Sequence, residues 1–263
     1  MIVLTAGLEL VYEQPRGWLE VNPPLFYPDI APASVVEVAG RVSDSGFEFV
    51  RGSFYGEALL ASNYWRELAA SFRDLPVDRY LAKGADFRRR RYGRFFLDIE
   101  GKLADAPSAP FVQARRYNSY AGDVRRYFDE LEPTVRQNPS LLLLIATDAA
   151  VVRAVFPTRR FWRVEVHQFR ITARPGAMGF PTPEGIHRDG NDIFAIHLID
   201  RDCRGGQSRV YSEDGRPLAK RFLKRPLDSL YVFDSVVLHD VSPIQTKGGC
   251  GVRDVINIDF FGL

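Results

Sequence analysis

The chain has 263 residues, with 35 Lys and Arg against 33 Asp and Glu, 46% hydrophobic and 13% aromatic residues. That composition excludes a disordered chain, and a formal net charge of +2 excludes a surface that binds polyanions by charge alone. Cys203 and Cys250 lie far apart with no Cys-x-x-Cys partner, so neither a disulfide framework nor a zinc finger is expected.

The opening apolar stretch Ile2 to Leu10 contains Glu9, has no basic flank and is too short to span a bilayer. It reads as a strand-like arm on the core of a cytoplasmic protein with neither a membrane nor a nucleic acid as partner. Five prolines between residues 14 and 34 mark an irregular lead-in, and residues 1–44 are expected to be lead-in and arm. Leu59, Leu60, Tyr64, Leu68 and Phe72 recur at helical spacing, which predicts a helix from Gly56 to Leu81 ended by Pro76. A second helix is expected around Val124, Tyr127, Phe128 and Leu131, and a third from Ser140 to Phe156 behind Asn138 and Pro139. Residues 45–157 are thus expected to be mainly helical support. The run Arg88 to Arg91 reads as a solvated strand or loop paired in part with Asp86 and Asp98, though one of these arginines or Arg94 could reach a substrate carboxylate.

After Pro157 the texture changes to short β-rich runs: 161–172, 193–199, 208–211, 229–232, 236–239 and 252–261. Gly-rich turns separate them and no crossover helix intervenes, which suits an antiparallel sandwich or jelly roll better than a parallel sheet. The chain is expected to form a single domain, mainly β with flanking helices, its jelly-roll core spanning 158–263.

All four histidines, His167, His187, His197 and His239, fall in this β-rich part. His187-Arg188-Asp189 places an imidazole and a carboxylate at i and i+2, which project to one face of extended backbone while Arg188 points away. With His239 from a distant strand they make two histidines and one carboxylate, the facial triad of non-haem Fe(II) oxygenases. His-x-Asp with a distant His is weak on its own in a chain with 33 acidic residues. Arg253 adds to it. It lies fourteen residues beyond His239, opens the last strand and could form a bidentate pair with a carboxylate; its neighbour strand is expected to hold His239. The plainer reading of Arg253 is an ion pair with Asp254.

Pro183-Glu184-Gly185-Ile186-His187-Arg188-Asp189-Gly190, the turn Arg204-Gly205-Gly206-Gln207-Ser208, His239 and Arg253-Asp254 occur in one order. In this the chain resembles bacterial Fe(II)- and 2-oxoglutarate-dependent dioxygenases of the L-isoleucine 4-hydroxylase type, over about residues 45–263. The resemblance implies a double-stranded β-helix, the cupin-like jelly roll. It assigns His187, Asp189 and His239 to iron and Arg253 to the distal carboxylate of 2-oxoglutarate. It implies O2 as oxidant, with ascorbate as a reductant in vitro, and a free L-amino acid or small derivative as substrate. The reaction so implied converts 2-oxoglutarate to succinate and CO2 and hydroxylates an unactivated C–H bond; desaturation and cyclisation by the same oxidant stay open, as does a cupin-like binding protein without turnover. Related halogenases lack the carboxylate at Asp189, so hydroxylation is expected over chlorination. Where many relatives carry a Ser two residues after the arginine, this chain has Val255.

Other features have competing readings. His187-Arg188-Asp189 also spells the start of a kinase catalytic loop, but Phe194 stands where that loop needs an Asn. Gln168 and Arg170 share one face of their strand and His167 takes the other; Gln168 is a candidate co-substrate contact. His197 reads as a buried, hydrogen-bonded histidine. Met178 to Glu184 could form part of the substrate mouth or a rigid turn, and both cysteines read as inert.

Overall fold

A computed structural model describes residues 32–118 and 120–263. The expected arm Ile2–Leu10 and the lead-in up to residue 31 lie outside the described residues. In chain order the elements are α1 (Pro32–Ser45), β1 (Phe47–Val50), α2 (Glu57–Ala61), α3 (Asn63–Ala70), β2 (Arg88–Asp98), β3 (Leu103–Asp105), α4 (Pro133–Arg136), α5 (Pro139–Val155), β4 (Phe161–Ala173), β5 (Ile193–Asp202), β6 (Arg204–Gly205), β7 (Ser208–Tyr211), β8 (Pro217–Arg221), β9 (Ser229–Phe233), β10 (Leu238–Val241), β11 (Ile244–Gln245) and β12 (Gly251–Gly262). A seven-stranded sheet in the order β1-β9-β5-β12-β4-β2-β3 faces a smaller layer built from β10-β7-β8 and β11-β6. All named strand pairs are antiparallel, which is the jelly roll expected from the sequence.

The two faces of the large sheet have different work. Val164, Val166, Ile256, Ile258 and Phe260 point to the helices and join one core with Leu141, Leu144 and Ile145 of α5. Phe194, Ile196, Leu198 and Val255 point the other way and join Val210, Leu223 and Val237 between the sheets. Strand β5 is covered on both faces, so 193–199 reads as an apolar run broken only by His197, whereas 252–261 mixes apolar residues with Arg253, Asp254, Asn257 and Asp259. Helix α5 begins where the sequence predicts, because the Asn138 side chain accepts from the backbone N–H groups of Ser140 (2.9 Å) and Leu141 (3.3 Å) and Pro139 opens the helix. Asp148 places a fully buried carboxyl group on this helix. It takes His197 Nε2 at 2.8 Å and the Tyr231 hydroxyl at 2.6 Å, while Tyr55 and Ser229 close the network around His197. This bears out His197 as a satisfied core histidine.

The first half departs from the expectation of mainly helical support. Residues 32–45 form a helix inside the stretch read as irregular. The predicted helix 56–81 is broken at Ser62, which is extended (ψ 152°) and whose hydroxyl accepts from Trp65 N–H to start α3. Leu59, Leu68 and Phe72 are buried as the spacing requires, but Tyr64 is exposed. No helix forms around 124–131. Bridges Phe111 to Arg126 and Tyr92 to Glu130 hold that segment extended, with Arg126 lining the pocket, Phe128 packed on Arg90, and Val124 and Tyr127 facing solvent. The arginine run opens strand β2, and alternation buries Arg88 and Arg90 toward the space between the sheets, so it is not a solvated face. Among the described residues no helix is long and apolar enough to cross a membrane.

Replacing Asp148 with Ala leaves His197 and Tyr231 without their shared acceptor. Urea denaturation is expected to show a loss of about 3 kcal/mol, and a loss below about 1 kcal/mol would mean the network adds nothing to helix–sheet docking.

Candidate metal and co-substrate site

Strand geometry gathers the site from four places. The segment after β4 brings His187 and Asp189 beside β10, where His187 and His239 exchange backbone hydrogen bonds in both directions at 3.0 Å. His187 Nδ1 lies 2.9 Å from the Gly185 carbonyl. With Nδ1 turned to that carbonyl, Nε2 is the nitrogen that faces a metal position, 3.4 Å from Asp189 Oδ1. His239 Nε2 lies 3.5 Å from Asp189 Oδ2. Candidate ligand atoms of His187, Asp189 and His239 lie within 4.8 Å of one another, and this donor set suits a divalent ion with open positions.

The electrostatics agree with a cation at this point. Burial opposes a charge on His187, yet the hydrogen bond and charge of Asp189, with Glu184 adding to them, raise its pKa to about 10. Burial disfavours the Asp189 anion too, but the two histidines and Gln113 hold its carboxyl below the usual range. His239, buried and facing His187, is pushed down to about 3.

Neighbouring groups fix Asp189 from both sides. The Asp234 carboxylate accepts from the backbone N–H of Asp189 (2.9 Å) and of Gly190 (2.6 Å). Gly190 has φ +85°, and a Cβ there would lie 2.6 Å from the Tyr117 ring, so only glycine turns the chain this closely. Gln113 donates to Asp189 Oδ1 at 2.9 Å, and its own oxygen accepts from Asn118 (2.9 Å) and Arg126 (2.8 Å).

Arg253 is 1% exposed, lines the same pocket, and its Nε and one terminal nitrogen have no partner. Asp254 does not neutralise it, because that carboxylate is taken by Arg170 in a two-point pair at 2.7 and 2.8 Å on the opposite face of β12. Burial, then the nearby Arg201, lowers the Arg253 pKa to about 10. Gly206 sits against it, where a Cβ would lie 3.0 Å from Arg253 Cδ. The expectation that the neighbouring strand holds His239 needs correction: β12 pairs with β4 and β5, β10 pairs with β7, and the histidine and the arginine face one another across the sandwich.

Gln168 is also corrected. Its residue is fully buried on the helix side of β4 and its amide donates to Ser71, away from the pocket, because odd-numbered His167, Phe169 and Ile171 take the inner face. Of the segment Met178 to Glu184, Pro181, Thr182 and Glu184 line the pocket. Arg88 and Arg90, two of the arginines read as able to reach a substrate, line it as well, and the sequence reading missed Gln113, Arg126 and Asp259. Arg90 is caged by Phe128, Phe169 and Phe111, with its guanidinium 3.6, 4.4 and 5.5 Å from the ring centroids. Alternation in β2 was a usable signal for Arg88 and Arg90. Nothing local marked Gln113 or Arg126, which reach the site from irregular backbone.

Gln113→Ala removes a side-chain donor to Asp189 Oδ1. Fe(II) titration of the variant is expected to show affinity weaker by roughly 10- to 100-fold with unchanged denaturation, and equal affinity would show that Asp189 needs no such support.

Three kinds of relative place the fold and the site in context. Residues 69–259 match the family model described as 2OG-Fe dioxygenase. The chain is 26% identical over 246 residues to 3(1)-hydroxy-L-isoleucine 4-dioxygenase of Pantoea ananatis, covering 86% of this chain and 96% of that one. It is 24% identical over 234 residues to L-isoleucine-4-hydroxylase of Bacillus thuringiensis, covering 86% and 95%. Among solved structures, a BsmA homologue from Methylobium petroleophilum superposes with a TM-score of 0.78 at 26% identity, covering 87% of this chain and 93% of that one. The family match spans well over half of the sequence and contains every ligand candidate, and the chain belongs to the 2OG-Fe dioxygenases, enzymes that use Fe(II), 2-oxoglutarate and O2.

Proposed function

We propose that His187, Asp189 and His239 hold Fe(II), that Arg253 receives the distal carboxylate of 2-oxoglutarate, and that the enzyme hydroxylates an unactivated C–H bond of a free L-amino acid or small derivative. Residues 32–263 act in this reading as one catalytic unit, the helices bracing the sheet that carries the site. The observation that carries the proposal is the meeting, in one pocket, of a His-Asp-His cluster and a buried guanidinium without an acid partner. Two relatives named for oxidation of isoleucine or hydroxyisoleucine favour the amino acid as substrate class.

When bound, the iron with its co-substrate supplies the oxidising chemistry, consuming O2 and releasing succinate and CO2. The chain's own residues supply placement. Asp234 and Gln113 set the orientation of Asp189, and the Gly185 carbonyl sets the tautomer of His187. A planar guanidinium at Arg253 gives a carboxylate two parallel donors and so fixes its direction toward the triad. Gly206 leaves the space in which that guanidinium lies. The inner-face side chains of β4, β5 and β12 keep water from the site.

Succinate formation from 2-oxoglutarate with Fe(II), ascorbate and air, measured across free L-amino acids with His187→Ala as blank, is expected to rise strongly with one or a few of them. A product heavier by one oxygen identifies hydroxylation; a product lighter by two hydrogens identifies desaturation or cyclisation. No succinate above the blank with any free amino acid would overturn the substrate class. Arg253→Met is expected to weaken 2-oxoglutarate binding by roughly 100-fold, and Gly206→Ala by roughly tenfold because its Cβ displaces Arg253. Unchanged 2-oxoglutarate affinity in Arg253→Met would remove Arg253 from that role.

A further inference from the structure

The charges around the pocket can be paired off one by one. Arg88 is held by Asp78 through Nε and a terminal nitrogen, both at 2.8 Å, and Arg90 lies 3.8 Å from the same carboxylate inside its aromatic cage. His167 lies between Arg90 (2.6 Å) and Asp259 (3.1 Å). Asp189 belongs to the triad, and Arg253 to the co-substrate. One cation and one anion of the pocket lining are left over. Arg126 is 3% exposed, its Nε has no partner, and it makes no ion pair among the described residues; its single side-chain contact through hydrogen bonding is the neutral oxygen of Gln113. Glu184 is 11% exposed at its side chain and pairs with no lysine or arginine among the described residues, approaching only His187 Nε2 at 3.5 Å.

A buried guanidinium without an acid is costly in the free protein and is accounted for most simply by a ligand that brings the missing charge. Arg126 and Glu184 both line the pocket that holds the His-Asp-His cluster. We propose that Arg126 and Glu184 form the substrate subsite, Arg126 receiving the α-carboxylate and Glu184 the α-ammonium of a zwitterionic amino acid. This rests on the amino acid reading above and names the residues that select for it. Two fixed polar ends leave the substrate side chain as the part presented to the metal, and they make the site sensitive to the configuration of the α-carbon. The set-up also explains why Gln113 contacts both Asp189 and Arg126: one amide links the ligand cluster and the substrate anchor.

The test uses the anaerobic Fe(II)·2-oxoglutarate complex of the whole chain. Its probes are L-isoleucine, or the amino acid that gives most succinate, with its carboxamide and its deaminated acid. The wild type is expected to bind the amino acid at least about 30-fold more tightly than either analogue. Arg126→Met should bind the amino acid and its carboxamide equally weakly, with Arg126→Lys restoring part of the preference. Glu184→Gln should lose the preference over the deaminated acid. A purely structural role would weaken all three probes alike and leave the preferences in place, which overturns the assignment, as does unchanged affinity in either variant. 2-Oxoglutarate affinity within about threefold of wild type in both variants excludes a collapsed site; a greater loss in Arg126→Met and Arg126→Lys alike would assign Arg126 to the co-substrate and overturn the proposal. If the wild-type complex binds no free L-amino acid at all, the substrate class fails and this subsite with it, which separates that failure from failure of the two residues alone.

Discussion

Strand β12 hydrogen-bonds along its length to β4 on one side and to β5 on the other, and that shared register decides what the pocket contains. Successive residues of a strand point to opposite faces. With Ile256, Ile258 and Phe260 committed to the helical core, Arg253, Val255, Asn257 and Asp259 have no choice but the inner face. A slip of one residue would bury the arginine among leucines and aim isoleucines at the metal, so the apolar demand of one face enforces the polar chemistry of the other. The irregularity between β12 and β5 at Asp254 and Val255 refines this arrangement. It brings Arg201 opposite Arg253, where its charge adds to the positive field at that end of the pocket while its donors tie down the carbonyls of Cys203, Gly205 and Leu223.

The β half was legible because its signals are local. The run 193–199 is apolar except for His197, Gly-rich turns separate the strands, and His187-Arg188-Asp189 carries its own i, i+2 geometry. Arg253 stood out only through its order relative to His239 and its place in a resemblance; the sequence placed the two on adjacent strands, whereas they meet across the sandwich. The helical half was read less well for a physical reason. Leu59, Leu68 and Phe72 do share a buried side, but a serine cap interrupts the helix between them. Around residue 124 the apolar residues answer to different neighbours, Phe128 to Arg90 and Tyr80, Leu131 to the core, so their spacing imitates a helix that no single face supports.

Gln168 and the arginine run show the same lesson from opposite sides. Both depended on which face of a strand is inward, and parity alone leaves that open. The apolar even-numbered residues Val164 and Val166 settle it for β4, sending Gln168 to the helices and His167 to the site. For β2 the cation count suggested solvent, yet Asp78 and three aromatic rings provide enough compensation to bury Arg88 and Arg90.

Among its described residues the segment 106–132 has little regular structure apart from its bridges through Phe111 and Glu130, and it supplies Gln113, Asn118, Tyr120 and Arg126 to the pocket wall. The opposite wall is the centre of a seven-stranded sheet. Irregular backbone tolerates exchange and insertion far better than a ladder bonded on both sides. The pocket therefore has a rigid wall that carries Arg253 and an adjustable wall that meets whatever is to be oxidised. New selectivity can arise by rewriting the covering chain around Gln113, with that residue kept for Asp189 and the sheet left as it is.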